Sequence, residues 1–359
     1  QGKDTQIGSY AFYNCYTLSQ VTLPKGVTTI SAATFMACSS LSSIALPESL
    51  AVIEGGAFFG CSLESIVFPQ SLQIIADAVD KAGLPTYDYH GAFENNYRLT
   101  KITIPDKVTS IGSWAFEQCT SLSEVILPEG LTTIGDKAFN YCSSLKTIQL
   151  PKTVSSISNA FAYSGLEEIE IPERVTALSD AFNGCSQLKN VILPPTITSI
   201  GDNTFKDCKS LPTIALPQSL TAIGKSAFEG CSSLEHIVIP NQVKTIGSTA
   251  FKNCRVLREI TIPDKVTTIN SSVFQDCSAL TSITLPNDVT TIGYQAFQNC
   301  YSLRDIILPE NLTTIDSYAF EMCKSLHVIT MPSKVNSFGI YVFDGCAGLS
   351  HINMLPPTP

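Results

Sequence analysis

Val243-Lys244-Thr245-Ile246-Gly247-Ser248-Thr249-Ala250-Phe251-Lys252-Asn253-Cys254-Arg255-Val256-Leu257-Arg258-Glu259-Ile260-Thr261-Ile262-Pro263 decides the fold of this chain, because some version of it recurs from one end to the other. With the phenylalanine as register mark, copies run from Phe12, Phe35, Phe58 and Phe93 through to Phe320 and Phe343, fifteen in all and mostly 23 residues apart. Self-similarity at such a period identifies a solenoid and outranks local secondary-structure propensity. The spacing shortens near Leu63 and between Phe161 and Phe182, and lengthens once, in an insertion at about 76–91. The expectation is one solenoid domain over residues 1–359.

Within a copy, Leu257-x-x-Ile260-x-Ile262 ends in β-branched alternation and is closed by Pro263, which reads as a short strand. Proline cannot donate to a ladder, so it marks the strand exit without weakening the middle. The Val-Thr-x-Ile that follows predicts a second brief strand. Glycine comes next in eight copies, among them Gly8, Gly112, Gly135, Gly247 and Gly339. Asn270 and Asp316 take its place elsewhere, and together these residues predict a left-handed turn position. Ser31, Glu54, Ser158 and Ser179 suit it less well. Ala-Phe-x-x-Cys is too short for a free-standing helix and predicts a single helical or 3₁₀ turn on the outer side. One such coil buries too little apolar surface to offset its ordering entropy, so neighbours must stack.

All 13 cysteines fall three residues after the register phenylalanine, and the two copies that lack one carry Asn96 and Ser164. A slot shared by Cys, Asn and Ser is small and weakly polar, and a buried free cysteine behaves as a small hydrophobe. Strands about 4.8 Å apart hold in-register Cβ atoms further apart than the roughly 3.8 Å that suits a disulfide. The thiols are therefore expected to be buried, unpaired and slow to react.

Of 359 residues, 44% are hydrophobic and 15% charged, so the chain can bury a long core. No apolar run reaches the length of a membrane helix, and no membrane insertion is expected. A net charge of −9, with 22 Lys and Arg spread singly, argues against nucleic acid as a partner, because that interface needs clustered positive charge.

The recurring LxxIxLPxxVTxIGxxAFxxC pattern, over residues 7 to 355, resembles the BspA-like (Treponema-type) family of leucine-rich repeats. That resemblance implies a right-handed superhelix or horseshoe with a parallel β-sheet on its concave face, short second strands and helical turns outside. It also implies a secreted or cell-surface protein of host-associated bacteria, adhering to host or neighbouring-cell proteins. The repeat motif defines no ligand residues, so none is carried over. Asn96, Ser164, Leu355 in place of the exit proline, and the insertion depart from the pattern.

Candidate binding residues come from the strand alternation instead. In Leu-x-x-Ile-x-Leu the residues beside Ile face outward. The row after it includes Ile126, Glu170, Ile192 and Val238, and the row before it Lys101, Glu124, Glu168, Asn190 and His236. Apolar groups flanked by polar ones resemble an interface core with its rim, although Val and Ile also favour strands wherever they stand. A second candidate contact is the insertion, through Tyr87, Tyr89 and His90. Asp77, Asp80, Asp88 and His90 match no known coordination loop, so no metal and no cofactor is expected.

Catalysis finds little support. Four histidines (His90, His236, His327, His351) are scattered, and neither GxSxG nor HExxH occurs. Glu167, Glu168 and Glu170 cluster, with Glu124 two coils away, but nothing on an open sheet would exclude water or shift their pKa values. Asn270 and Asn311 lie in glycosylation sequons, which matter only in a eukaryotic secretory pathway. The reading is a non-catalytic protein-binding surface module. A glycan-binding module ranks second, since the predicted inner face lacks aromatics, and an enzyme third. The first coil begins without a capping segment and the last runs into Pro356-Pro357-Thr358-Pro359, so the chain reads as a piece of something longer. Uncapped terminal repeats also leave end-to-end self-association open as a mode of partnering.

Overall fold

In the computed structural model, which describes residues 6–77 and 90–355, each copy of the motif makes one coil and every strand pairing is parallel. The chain divides into two compact units, Gln1–Val175 and Thr176–Pro359.

In the first unit the second strands form one five-stranded ladder, Thr29–Ile30, Val52–Ile53, Ile74–Ile75, Ser110–Ile111 and Thr133–Ile134, in chain order. Its register is kept across the insertion, where Ile75 pairs with Ile111. The first strands surface as Lys101–Thr103 beside Glu124–Ile126, and as Glu168–Glu170. In the second unit the second strands form two four-stranded ladders, one from Ala177–Leu178 to Thr245–Ile246 and one from Thr268–Ile269 to Ser337–Phe338. Its first strands include Asn190–Ile192, the trio Glu259–Thr261, Ser282–Thr284 and Asp305–Ile306, and the pair Val328–Met331 and His351–Met354.

The register phenylalanine forms the spine of the core. Phe116 and Phe139 stack with centroids 5.5 Å apart, and Phe228 and Phe251 at 5.4 Å with ring planes within 2°. These separations fall in the range that favours offset stacking. Leu, Ile and Val of both strands close around the column, fully buried at Leu257, Ile246 and Val243 among others.

The segment through Ala-Phe-x-x-Cys departs from expectation: no helix occurs among the described residues, and it is a run of turns. Around Phe116 the amides of Ala115, Glu117 and Cys119 donate three residues back, to the carbonyls of Gly112, Trp114 and Phe116 at 3.3, 3.0 and 3.2 Å. The alternate amides of Trp114, Phe116 and Gln118 donate to the next coil, at Asp136, Ala138 and Asn140, over 2.8 to 2.9 Å. Positive φ at Trp114 (56°) and Gln118 (57°) turns those peptide planes toward the next coil. A helical turn would keep every amide within the segment and leave the next coil's carbonyls without donors.

The repeat glycine is not the left-handed residue either. Positive φ falls two residues later, at Thr249 (57°) after Gly247 and at Lys137 (55°) after Gly135. Glycine stands there because coils touch: a Cβ on Gly247 would lie 2.4 Å from the Lys225 nitrogen, and one on Gly135 2.5 Å from that of Ser113. Asn270 and Asp316 likewise lie outside the left-handed region. Asn270 turns its amide onto the Ile246 carbonyl at 2.7 Å.

The cysteines are all free. In eleven of them the Sγ donates to the phenylalanine carbonyl one coil back, as Cys254 does to Phe228 at 3.3 Å and Cys119 to Phe93 at 3.3 Å. Asn96 takes over the slot beside the shortened coil: its Nδ2 donates to Phe58 and Phe93, at 2.8 and 2.9 Å, and its Oδ1 accepts from the Leu63 amide at 3.2 Å. Burial fails at the two ends. Cys15, in the first described coil, is exposed and Cys346, in the last, half-buried.

Candidate functional site

The outward rows of the first strands lie where alternation put them. In the first unit, Lys101–Thr103 and Glu124–Ile126 alternate exposed, buried, exposed, with Ile102 and Val125 inward. Lys101 faces Glu124 across the ladder, Nζ to Oε1 2.6 Å, and Thr103 faces Ile126. Both charged side chains are more than half exposed, so the pair contributes little stability. Glu168 and Glu170 flank buried Ile169 and are both exposed. Glu167 is held apart from them by Lys146 at 3.2 Å. A shallow groove of about 360 Å³ also opens between Val67 and Thr103, with Lys101 on its rim.

In the second unit Asn190 and Ile192 flank buried Val191. The next two coils bring up Thr213 to Ala215 and His236 to Val238, and Thr213 Oγ1 donates to the His236 carbonyl at 3.3 Å. Ile192 is 52% exposed and Val238 79%, and small Ala215 lies between them. The result is a groove of about 560 Å³ with apolar walls and a rim of Asn190, Thr213, Gln218 and His236. The structure thus gathers Asn190, Ile192, His236 and Val238 around one feature, and places Lys101, Glu124 and Ile126 on one surface of the other unit.

The insertion carried the second set of candidates. Tyr87 and Tyr89 lie outside the described residues, as do Asp80 and Asp88. His90 is half-buried: its ring lies on Phe59 with centroids 3.7 Å apart, and its Nδ1 is 3.3 Å from Glu94 Oε2. The same oxygen accepts from the Gly91 amide at 3.0 Å, so His90 pins the returning end of the insertion. Asp77 closes the other end by accepting from the Ser113 amide at 2.6 Å. Among the described residues no group of His, Cys, Asp and Glu is arranged to hold a metal ion.

One surface was missed. The turn segments carry tyrosines one coil apart, exposed Tyr141 on exposed Tyr163 with centroids at 4.7 Å, and exposed Tyr294 and Tyr341 on either side of half-buried Tyr318 in a chain of contacts at 5.7 and 5.4 Å. The signal was present in the sequence, since Tyr141 and Tyr163 both stand two residues after the register phenylalanine.

Comparison with known proteins bears on the whole chain. The model of the BspA type leucine rich repeat region matches residues 5–79, 89–180, 157–280 and 245–357. A crystal structure of a leucine-rich repeat protein from Bacteroides ovatus is 30% identical, with a TM-score of 0.73 over 96% of this chain and 81% of that one. A leucine rich cell surface protein from Faecalibacterium prausnitzii is also 30% identical, with a TM-score of 0.51 over 81% of this chain and 83% of its own. A leucine-rich repeat protein from Eubacterium ventriosum, 22% identical over 92% of this chain and 83% of its own at a TM-score of 0.51, shares the fold. No curated protein matches in sequence. The matched family model, the stacked parallel coils and the phenylalanine spine lead to one assignment: this chain belongs to the BspA-type leucine-rich-repeat family.

Proposed function

We propose that this chain is a non-catalytic protein-interaction module of the cell surface or of the secreted space, acting in adhesion to host or neighbouring-cell proteins. The observation that carries the reading is the groove between Ile192 and Val238. Exposed Ile and Val on a soluble surface cost solvation, and here they wall a depression over Ala215 ringed by Asn190, Gln218 and His236. An apolar centre inside a polar rim is the anatomy of a protein-binding patch. Lys101, Glu124 and Ile126, with Glu168 and Glu170, offer a more charged surface of the same kind in the first unit. The cell-surface relative from Faecalibacterium prausnitzii supports the location.

A glycan-binding reading stands second, on the stacked Tyr141 and Tyr163, whose flat exposed rings suit a sugar face. A pull-down of extracellular-matrix proteins and a glycan array, run side by side, separate the two. Ile192→Lys with Val238→Lys should leave the fold intact and weaken capture of a matrix protein by tenfold or more, while Tyr141→Ala with Tyr163→Ala leaves it unchanged. Ile126→Lys reports separately on the first unit. Capture that survives the groove variants, or array binding lost with the tyrosines, refutes the groove assignment.

A further inference from the structure

We propose that Glu117 holds a proton in the native state and shares it with Asn140, clasping two successive coils of the first unit, and that this clasp opens as pH rises. Glu94, Glu117 and Asn140 each stand one residue after a register phenylalanine, so they form a short column on the turn side of three successive coils. Asn140 is 5% exposed, and its Nδ2 donates to Glu117 Oε1 at 2.6 Å. Its Oδ1 has no hydrogen-bond partner, and among the described residues it is the one buried side-chain oxygen or nitrogen left so. Buried polar atoms are paired almost without exception, so the orphaned oxygen calls for a donor.

An ionised carboxylate can only accept, and Glu117 in that form has nothing to offer Oδ1. A protonated carboxyl carries one O–H donor. With a carboxamide it closes a ring of two hydrogen bonds, the amide N–H to one carboxyl oxygen and the acid O–H to the amide oxygen. The first of these bonds is in place at Oε1. A proton on Oε2 completes the second after a turn of the carboxyl about its last bond.

The surrounding charges act in the same sense. In the preceding coil Glu94 is buried, and its Oε2 is taken by the Gly91 amide and by His90. In the following coil stand exposed Asp136 and half-buried Lys137, whose Nζ lies over the Trp114 ring at 5.8 Å from its centroid. The thiols of Cys119 and Cys142 in this stretch are pushed up by burial and stay neutral. Burial raises the Glu117 carboxyl above the ordinary glutamate value, and Glu94 and Asp136 push it further, against the Asn140 amide and Lys137. The native state therefore keeps a proton that the unfolded chain releases. Stability from the clasp is complete below the unfolded value of about 4.3 and is lost as pH climbs through the folded one. Ionisation then sets a second anion beside Glu94, which anchors the returning end of the insertion.

Glu117→Gln tests this in the full chain. Its amide keeps both bonds of the ring, with Nε2 donating to Asn140 Oδ1, and has no proton to lose. From acid to neutral pH the melting temperature of the wild type should fall relative to that of the variant. Glu129→Gln, at an exposed carboxylate, should follow the wild type. A second measurement needs no variant: the side-chain carboxyl carbon of Glu117, followed by NMR through its own bonds, should titrate above about 4.3. A midpoint at or below that value overturns the proposal. So does a wild-type profile parallel to that of Glu117→Gln at every pH, or a Glu129→Gln profile that matches it.

Discussion

A cysteine three residues after each phenylalanine was legible as a small buried slot, yet its bonding was not. The carbonyl it meets belongs to a phenylalanine 26 residues earlier, as for Cys119 and Phe93, a separation no local reading supplies. Nor could the sequence distinguish Cys15 and Cys346 from the interior cysteines, because their exposure is set by what lies above and below. Burial pushes the Cys119 thiol up from 9.0 to about 12, and that of Cys61 likewise to about 12, since an ion there would lose its water. The native state therefore keeps protons that the unfolded chain releases above its ordinary thiol pKa. Stability from this source is complete below about pH 8.5 and is lost as pH climbs toward the folded values. The urea midpoint should be flat across neutral pH and fall increasingly steeply in alkali, with Cys119→Ala lessening the fall. An alkaline limb identical in wild type and variant would refute the assignment.

For the elements, both strands of a coil and their inward residues followed from alternation, and the structure places them there. The turn segment was misread because Ala-Phe-x-x-Cys taken alone favours a helical turn, and what overrides that preference is a neighbouring coil needing amide donors. Glycine was misread for the same reason: read locally it suggests left-handed backbone, whereas its bareness answers to the preceding coil. With φ at Gly247 outside the left-handed region, backbone freedom alone and close packing predict different outcomes for Gly247→Ala. A purely conformational role at ordinary φ would make alanine neutral or mildly stabilising. Close approach to Lys225 at 2.4 Å makes it overpacking, costing about 1–3 kcal/mol. Gly8→Ala, whose added Cβ meets nothing within 4 Å, should be close to neutral. Chemical denaturation of the pair decides between them.

For the whole molecule, repetition alone identified the solenoid, and outward Ile192 and Val238 could be named from spacing. Their groove depends also on Ala215 being small between them, a pattern visible in the sequence once three coils are laid in register. His90 resisted such reading, because Phe59 and Glu94 converge on it only after the insertion has returned. Stability in such a stack is summed over neighbours. Phe251→Ala, which removes the contacts to both Phe228 and Phe274, should cost about 3–5 kcal/mol. Hydrogen exchange should rise most in those three coils; a uniform rise throughout the second unit would show all-or-none behaviour instead. The directions of the interior amides have an electrostatic corollary. On the turn side they point toward the later coil, as from Phe228 to Ala250, while after the second strand they point toward the earlier one, as from Gly247 to Ile223. The peptide dipoles on the two sides of a coil thus oppose each other rather than accumulate as they do along an α-helix. Added coils bring no growing macrodipole, so a solenoid of this design can lengthen without building up charge at its ends.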